Sequence, residues 1–148
     1  MRSLARFFAL DAWERRVLVR AWFLLPLTAA RVRWLGLARA QATSRAGPRL
    51  QGAEALALAQ RIARWVHLAA RHGPFRPTCL PLSLVLQRLL REQGIESDLR
   101  FGVRKAAGCL EGHAWVERDG VALADPPAEG RPFAAFDEPI RALPRAPR

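Results

Sequence analysis

The stretch Gly112–Glu117, with the sequence GHAWVE, decides the fold that we expect for this chain. It predicts a strand, and residues 121–125 predict the next strand, because Asp119-Gly120 between two apolar segments is a hairpin signal. Upstream, residues 95–103 alternate apolar and charged side chains, as a half-buried strand does. Residues 104–111 are expected to form the loop between these strands. Together the segments predict an antiparallel meander.

Two helical patterns precede the meander. Residues 54–72 repeat apolar side chains at helical spacing and end at Gly73-Pro74. A second helix is expected to begin at Cys79, with Pro81 in its first turn and Gly94 as its C-cap. Helices followed by an antiparallel meander predict an α+β domain.

Residues 1–40 predict one or two further amphipathic helices, rich in Leu, Trp, Phe and Arg. Asp11 is the expected N-cap, and Pro26 is expected to kink or divide the segment. We favour a helical layer packed on the core, because apolar helical faces are usually buried. A surface for a partner or a membrane interface is the alternative. Residues 41–52 are expected to form a linker.

The composition suits one compact domain of 148 residues with a formal net charge of +11. Nearly all of this charge is arginine, and Lys105 is the only lysine. Such a charge favours an acidic peptide, an acidic partner protein, an anionic membrane face or nucleic acid, and charge alone does not choose among them.

Two features of the sequence bear on the compartment. Cys79 and Cys109 do not make a disulfide framework, so we expect a reduced, cytoplasmic setting. The apolar run Ala21–Ala30 is too short to span a bilayer and is interrupted by Pro26. We therefore expect no membrane association.

Three residues have the chemistry of a thiol acyl-transfer site. His113 follows Cys79 by 34 residues, and Asp125 follows His113 by 12. At a helix N-terminus the thiolate of Cys79 is favoured, and its backbone N–H is a natural oxyanion donor. The imidazole of His113 would pair with the thiolate and protonate a leaving amine. Asp125 would fix the tautomer of that imidazole.

Each of these residues also has a simpler interpretation. Cys79 could be a small core residue, His113 a satisfied strand histidine, and Asp125 a turn starter before two prolines. Cys109 is a second candidate nucleophile, but no helix N-terminus supports it. A metal site built from the same four residues is conceivable, although their spacing matches no common zinc module.

The hairpin at Arg118-Asp119-Gly120 sets a condition on the triad. A two-residue turn pairs Arg118 with Val121 and places Asp125 on the opposite face from His113. A three-residue loop with Gly120 left-handed shifts the pairing by one residue, and His113 then faces Asp125. The triad therefore predicts the three-residue loop.

The motifs of this chain resemble those of the transglutaminase-like B proteins of lasso peptide biosynthesis, and more narrowly the stand-alone peptidase half of the split form. The resemblance covers roughly residues 54–137, including Asp125-Pro126-Pro127. The matching motifs are Cys79-Leu80, Ser83-Leu84, Leu89-Leu90-Arg91, Gly94-Ile95, Leu99-Arg100-Phe101-Gly102-Val103, the GHAWVE stretch and Asp119-Gly120.

This resemblance implies a papain-like, transglutaminase-like core and a cysteine peptidase that removes the leader from a ribosomally synthesised precursor. The catalytic Cys, His and Asp of the family correspond to Cys79, His113 and Asp125. We expect no room for a winged-helix recognition domain, so a separate protein would present the leader, and a lasso cyclase is a possible further partner. No cofactor, metal or nucleic acid is implied. The alternatives are an amide-forming acyltransferase and a non-catalytic scaffold that docks precursor, recognition protein and cyclase.

The resemblance also implies a division of the chain. Residues 1–50 would form the N-terminal helical region and linker, residues 51–140 the transglutaminase-like catalytic core, and residues 141–148 a flexible tail.

Overall fold

The computed structural model describes residues 10–41, 47–106, 109–123 and 133–136. Within these residues the chain forms three helices and a curled antiparallel sheet, so the expected α+β class is confirmed. The elements are α1 Ala12–Gln41, α2 Gly52–His72, α3 Cys79–Glu92, β1 Asp98–Ala106, β2 Cys109–Arg118, β3 Val121–Ala122 and β4 Ala134–Ala135. Asp125 and the tail at residues 141–148 lie outside the described residues.

The sheet has the strand order β3-β2-β1-β4, and each neighbouring pair is antiparallel. The ladder between β1 and β2 runs from Asp98 opposite Glu117 to Ala106 opposite Cys109. The loop expected over residues 104–111 is therefore wrong. Apolar alternation ends at Val103, but backbone hydrogen bonds extend the hairpin without regard to side-chain polarity.

Helix α1 begins with a reciprocal cap. The backbone N–H of Glu14 donates to Asp11 Oδ1 at 2.7 Å, and that of Asp11 donates to Glu14 Oε2 at 3.4 Å. Asp11 is thus confirmed as the N-cap. Pro26 does not divide the segment, because the helical backbone continues through this exposed proline and is interrupted at Gly36 instead; a kink at Pro26 stays a prediction. Glycine adopts the φ of 77° found there at little cost.

One hydrophobic core joins the three helices to the inner face of the sheet. Helix α1 contributes Leu18, Ala21 and Leu25 to it, so the interpretation of this segment as a layer on the core is confirmed. Its outer side exposes Phe23 and Trp34, at 73% and 80% of their surfaces. The largest fully buried side chains are Leu25, Ile62, Leu86, Leu90, Ile95, Leu99, Val66, Val85 and Val116.

Helix α3 ends in a Schellman motif. The backbone N–H of Ile95 donates to the carbonyl of Leu90 at 2.9 Å, and that of Gly94 to the carbonyl of Arg91 at 3.0 Å. Gly94 lies in the left-handed region with φ 74°. The expected end of the helix at Gly94 is therefore confirmed.

A buried hydrogen bond fixes α3 on the sheet. Ser83 Oγ donates to the carbonyl oxygen of Ala114, in the middle of β2, at 3.0 Å. We expect Ser83→Ala to lower the free energy of unfolding by about 1–2 kcal/mol, because the carbonyl loses a partner where water does not replace it. Denaturant unfolding followed by circular dichroism measures this change.

Ser97 provides the matched control. Its Oγ is also buried but has no hydrogen-bond partner among the described residues. Ser97→Ala is therefore expected to leave stability unchanged or slightly raised. An equal loss in the two variants would mean that the Ser83 bond does not hold α3 in place.

Candidate active site

Cys79 is the first residue of α3, and the helix N-terminus is open around it. The N-cap residue Thr78 makes no side-chain cap bond, and the first turn contains no acidic residue. The free N–H groups of the first turn and the positive end of the helix dipole therefore face the thiol without a competing anion. Cys79 is a free, half-buried cysteine. This environment suits a backbone oxyanion donor beside a cysteine nucleophile.

Two hydrogen bonds show where Cys79 lies along the sheet. Ser83 bonds to Ala114 in the middle of β2. One helical turn later, Gln87 Nε2 donates to the carbonyl of Ser97, which lies beside the end of β2 at Glu117. Cys79 is one turn before Ser83 on the same helix face. That turn rises about 6 Å along the helix axis, which is roughly the length of two residues in a strand. From these rises we expect Cys79 near the level of Gly112 and His113.

Gly112 borders open space on β2. It lies on the same sheet face as Ala114, because residues two apart in a strand share a face. A Cβ built on Gly112 would meet no atom within 4 Å. A peptide backbone could therefore approach Cys79 from this side.

His113 points to the other sheet face. Val116 is buried in the core together with Leu99, its partner on β1. Trp115, the residue before Val116, therefore belongs to the outer face of the sheet. By the same alternation the imidazole of His113 lies on the outer face. No hydrogen bond joins Cys79 to His113 in the described part of the chain. The described structure therefore shows no connection between these two residues.

An aromatic cluster surrounds the imidazole. The ring of His113 stacks on Phe133, with centroids 4.8 Å apart, and lies 6.0 Å from the ring of Trp115. The guanidinium of Arg104 lies 4.5 Å over Phe133 and forms an ion pair with Glu111 at 2.8 Å. Burial, and secondarily the charge of Arg104, lowers the pKa of His113 below its usual value of 6.5. The neutral imidazole is therefore the dominant form at pH 7.

This environment gives a titration prediction. We expect Arg104→Gln to raise the pKa of His113 only part of the way to 6.5, because the larger cause, burial, remains. Titration of the histidine ring resonances by NMR measures the change, and Arg64→Gln, an exposed position on α2, is the control. A pKa unchanged by Arg104→Gln would contradict the electrostatic contribution.

The lowered pKa also sets the sign of a stability effect. The unfolded chain binds a proton on His113 more readily, so the contribution of this group to stability is complete above pH 6.5. It is lost as the pH falls from 6.5 through the lower pKa of the folded state.

The hairpin after β2 has the two-residue register. Arg118 pairs with Val121, and both turn residues have positive φ, 50° at Asp119 and 78° at Gly120, as in a type I′ turn. Gly120 is left-handed as expected, but the expected three-residue loop is wrong. The observed register sets Leu123 against Val116, where its N–H donates at 2.9 Å and its side chain joins the core. The shifted register would have moved Leu123 to the outer face.

Asp125 itself lies outside the described residues. The pairing is observed as far as Leu123, and if its register continued, residue 125 would lie opposite Ala114, on the other face from His113, so the condition for the triad is not met. Among the described residues, no carboxylate accepts a hydrogen bond from the imidazole of His113. The role of Asp125 stays a prediction.

Cys109 is exposed at the start of β2. It shares the outer face with His113, but four strand residues separate them by roughly 13 Å. Among the described residues there is no group of three or more His, Cys, Asp or Glu side chains that could hold a metal ion. In the same residues, no helix combines the length and the apolar character needed to cross a membrane.

A cysteine at an open helix N-terminus and a histidine on a nearby antiparallel strand are residue types used in thiol acyl-transfer sites, although no hydrogen bond joins them among the described residues. The chain belongs to the Transglutaminase-like superfamily, whose family profile matches residues 21–136. This superfamily includes cysteine peptidases. Neither the curated proteins nor the solved structures contain a significant match.

Sequence reasoning missed the residues that surround His113. Glu111 and Arg104 face each other across the ladder, and alternation along an extended β2 would have placed Glu111 beside His113. Because residues 104–111 were expected to form a loop, strand alternation was not applied to Glu111. Phe133 precedes the two-residue strand β4, which is too short to give a recognisable pattern.

Proposed function

We propose that this chain is a cysteine peptidase that cleaves the leader from a ribosomally synthesised lasso peptide precursor, with a separate recognition protein presenting the leader. The observation that carries the proposal is Cys79 at the uncapped N-terminus of α3, the helix that Ser83 ties to Ala114 of the GHAWVE segment. Membership of the Transglutaminase-like superfamily supports the thiol chemistry. The lasso precursor as substrate rests on the motif resemblance.

In the proposed reaction, Cys79 Sγ attacks the carbonyl carbon of the scissile peptide bond. The backbone N–H of Cys79 stabilises the oxyanion, and neutral His113 takes the thiol proton and transfers it to the leaving amine. Water, activated by the same imidazole, then hydrolyses the thioester and releases the leader. Asp125 would hold the imidazole in the required tautomer, which requires the chain after Leu123 to leave the two-residue register, since that register turns residue 125 to the opposite face from His113.

This reaction requires the imidazole to reach the thiol. Because His113 stacks on Phe133 without a hydrogen bond to Cys79, the start of β2 must rearrange when the substrate binds. Catalytic hydrogen bonds often tighten only in the complex with substrate. The open space beside Gly112 leaves room for such a movement.

A non-catalytic scaffold is the second candidate, and the missing contact between Cys79 and His113 favours it. The scaffold would dock its partners through the basic residues of α1. Arg16→Glu tests this role best, because Arg16 is exposed, whereas Arg20 pairs with Glu92 at 2.6 Å and its reversal would also disturb the fold. Loss of precursor processing in Arg16→Glu, with processing retained in Cys79→Ala, would establish the scaffold.

The deciding experiment combines the purified chain with precursor and recognition protein, without cyclase, and follows the products by mass spectrometry. A peptidase yields leader and core peptide whose masses sum to that of the precursor plus one water. An amide-forming acyltransferase instead yields a cross-linked product and releases an amine. If the precursor stays intact under these conditions while the full set of partners matures it, the peptidase assignment is wrong.

A further inference from the structure

An arginine-lined cleft lies at the end of α3 remote from Cys79. Its volume is about 800 Å³, which is within the range of ligand sites. Its walls are formed by five segments: parts of α1 and α3, the connection at residues 47–52, the stretch before β1 and the β2–β3 hairpin. The walls hold three acidic residues against five arginines, Arg31, Arg49, Arg88, Arg91 and Arg118.

Arg118 is the least expected of these residues. Its side chain is only 6% exposed, although a buried charge is normally paired and fully hydrogen-bonded. Nη1 donates to the carbonyl of Glu96 at 2.8 Å, and among the described residues its one ion pair runs from Nε to the largely exposed Asp119 at 3.4 Å. Nε has no hydrogen bond within the described chain. The wall of the cleft thus contains a buried cation with one donor, Nε, that makes no hydrogen bond within the described chain.

Two further groups in the cleft lack partners among the described residues. Ser97 Oγ is buried without a hydrogen bond, and exposed Arg91 forms no ion pair there. By contrast, Arg88 pairs with Glu92 at 3.1 Å and Arg49 with Glu96 at 2.6 Å. The polar and charged groups without a hydrogen-bond partner among the described residues are therefore concentrated around Arg91, Ser97 and Arg118.

We propose that this cleft binds an acidic peptide segment, whose carboxylates Arg118 and Arg91 recognise. The planar guanidinium group matches a carboxylate in a two-point hydrogen bond. Gln51 and Gln87 in the lining can bond to a peptide backbone. Nucleic acid fits less well, because the lining has no aromatic side chain for base stacking.

The cleft is distinct from the thiol site. Cys79 and Arg91 lie at opposite ends of the 14-residue helix α3, about 18 Å apart along its axis. They also lie on faces roughly 120° apart, from the helical repeat of 3.6 residues. The cleft therefore docks a peptide away from the cleavage point, and its binding does not depend on whether Cys79 is catalytic.

Fluorescence anisotropy with the full chain and a labelled octapeptide of alternating Gly and Glu tests the proposal. We expect binding, at least about tenfold weaker for the peptide with Gln in place of Glu. Arg91→Gln is expected to weaken binding about fivefold or more, because a charge-assisted hydrogen bond is lost. Arg64→Gln makes the same change in net charge outside the cleft and should alter binding less than about twofold.

Three results would overturn the proposal. Equal weakening by Arg91→Gln and Arg64→Gln would mean non-specific attraction by the basic chain. Tighter, Arg91-dependent binding of a single-stranded oligonucleotide of equal charge would make the cleft a nucleic-acid site. Failure of the Glu peptide to bind a wild-type chain with an intact thermal unfolding transition would leave the cleft without this ligand.

Discussion

Replacement of Cys79 by Ala is expected to lower the rate of leader cleavage at least about a thousandfold. The thiol forms the covalent bond to the substrate, and no neighbouring side chain replaces it. What remains after its loss is binding and oxyanion stabilisation by the N-terminus of α3. Quantitative mass spectrometry of precursor and core peptide at a fixed enzyme concentration measures the rate.

Cys109→Ala is the matched control, because it removes the other thiol from an exposed position on β2. It is expected to cleave within about twofold of the wild type, since surface substitutions rarely perturb a fold. Thermal unfolding of both variants separates lost chemistry from lost folding. Cleavage by Cys79→Ala at the wild-type rate, or its loss only in Cys109→Ala, would refute the assignment of the nucleophile.

Gly94→Ala is expected to be the most damaging single-methyl change to the fold, with a loss of more than about 3 kcal/mol in the free energy of unfolding. The φ of 74° disfavours any side chain, and the added Cβ would overlap the carbonyl oxygen of Pro48. That carbonyl belongs to the connection that crosses the end of α3. There the N–H of Gly47 donates to Arg91 and that of Leu50 to Gly94.

Gly52→Ala and Gly120→Ala separate the two contributions. Their φ angles are 79° and 78°, close to that of Gly94, but an added Cβ would meet no atom within 4 Å at either position. Each should therefore lose only the conformational cost, roughly 1–2 kcal/mol. Denaturant unfolding of the three variants gives the comparison. Equal losses in all three would show that the contact with Pro48 contributes nothing.

The helices could be predicted from sequence because their signals are local. Asp11 and Glu14 are three residues apart and form the cap that their types predict. Gly94 ends α3 by its own backbone freedom. Pro26 was misleading because an exposed proline can lie within a long helix whose remaining hydrogen bonds and inner face hold it.

The hairpin shows where local information ends. Asp119-Gly120 is compatible with a two-residue or a three-residue turn, so these residues alone do not choose the register. Burial of Leu123 beside Val116 chooses it, because a shift of one residue would expose an apolar side chain. The two-residue turn selected in this way excludes the register in which Asp125 would face His113.

The amino-acid sequence by itself determined that Cys79 opens a helix and that His113 lies on a strand, because helix caps and strand alternation depend on residues a few positions apart. Only the tertiary structure decided the face on which His113 lies. That depends on which side of the sheet α3 covers, and the hydrogen bond from Ser83 to Ala114 fixes that side across 31 residues of chain. The tertiary structure likewise assembles the arginine cleft, whose walls come from five separate segments of the chain.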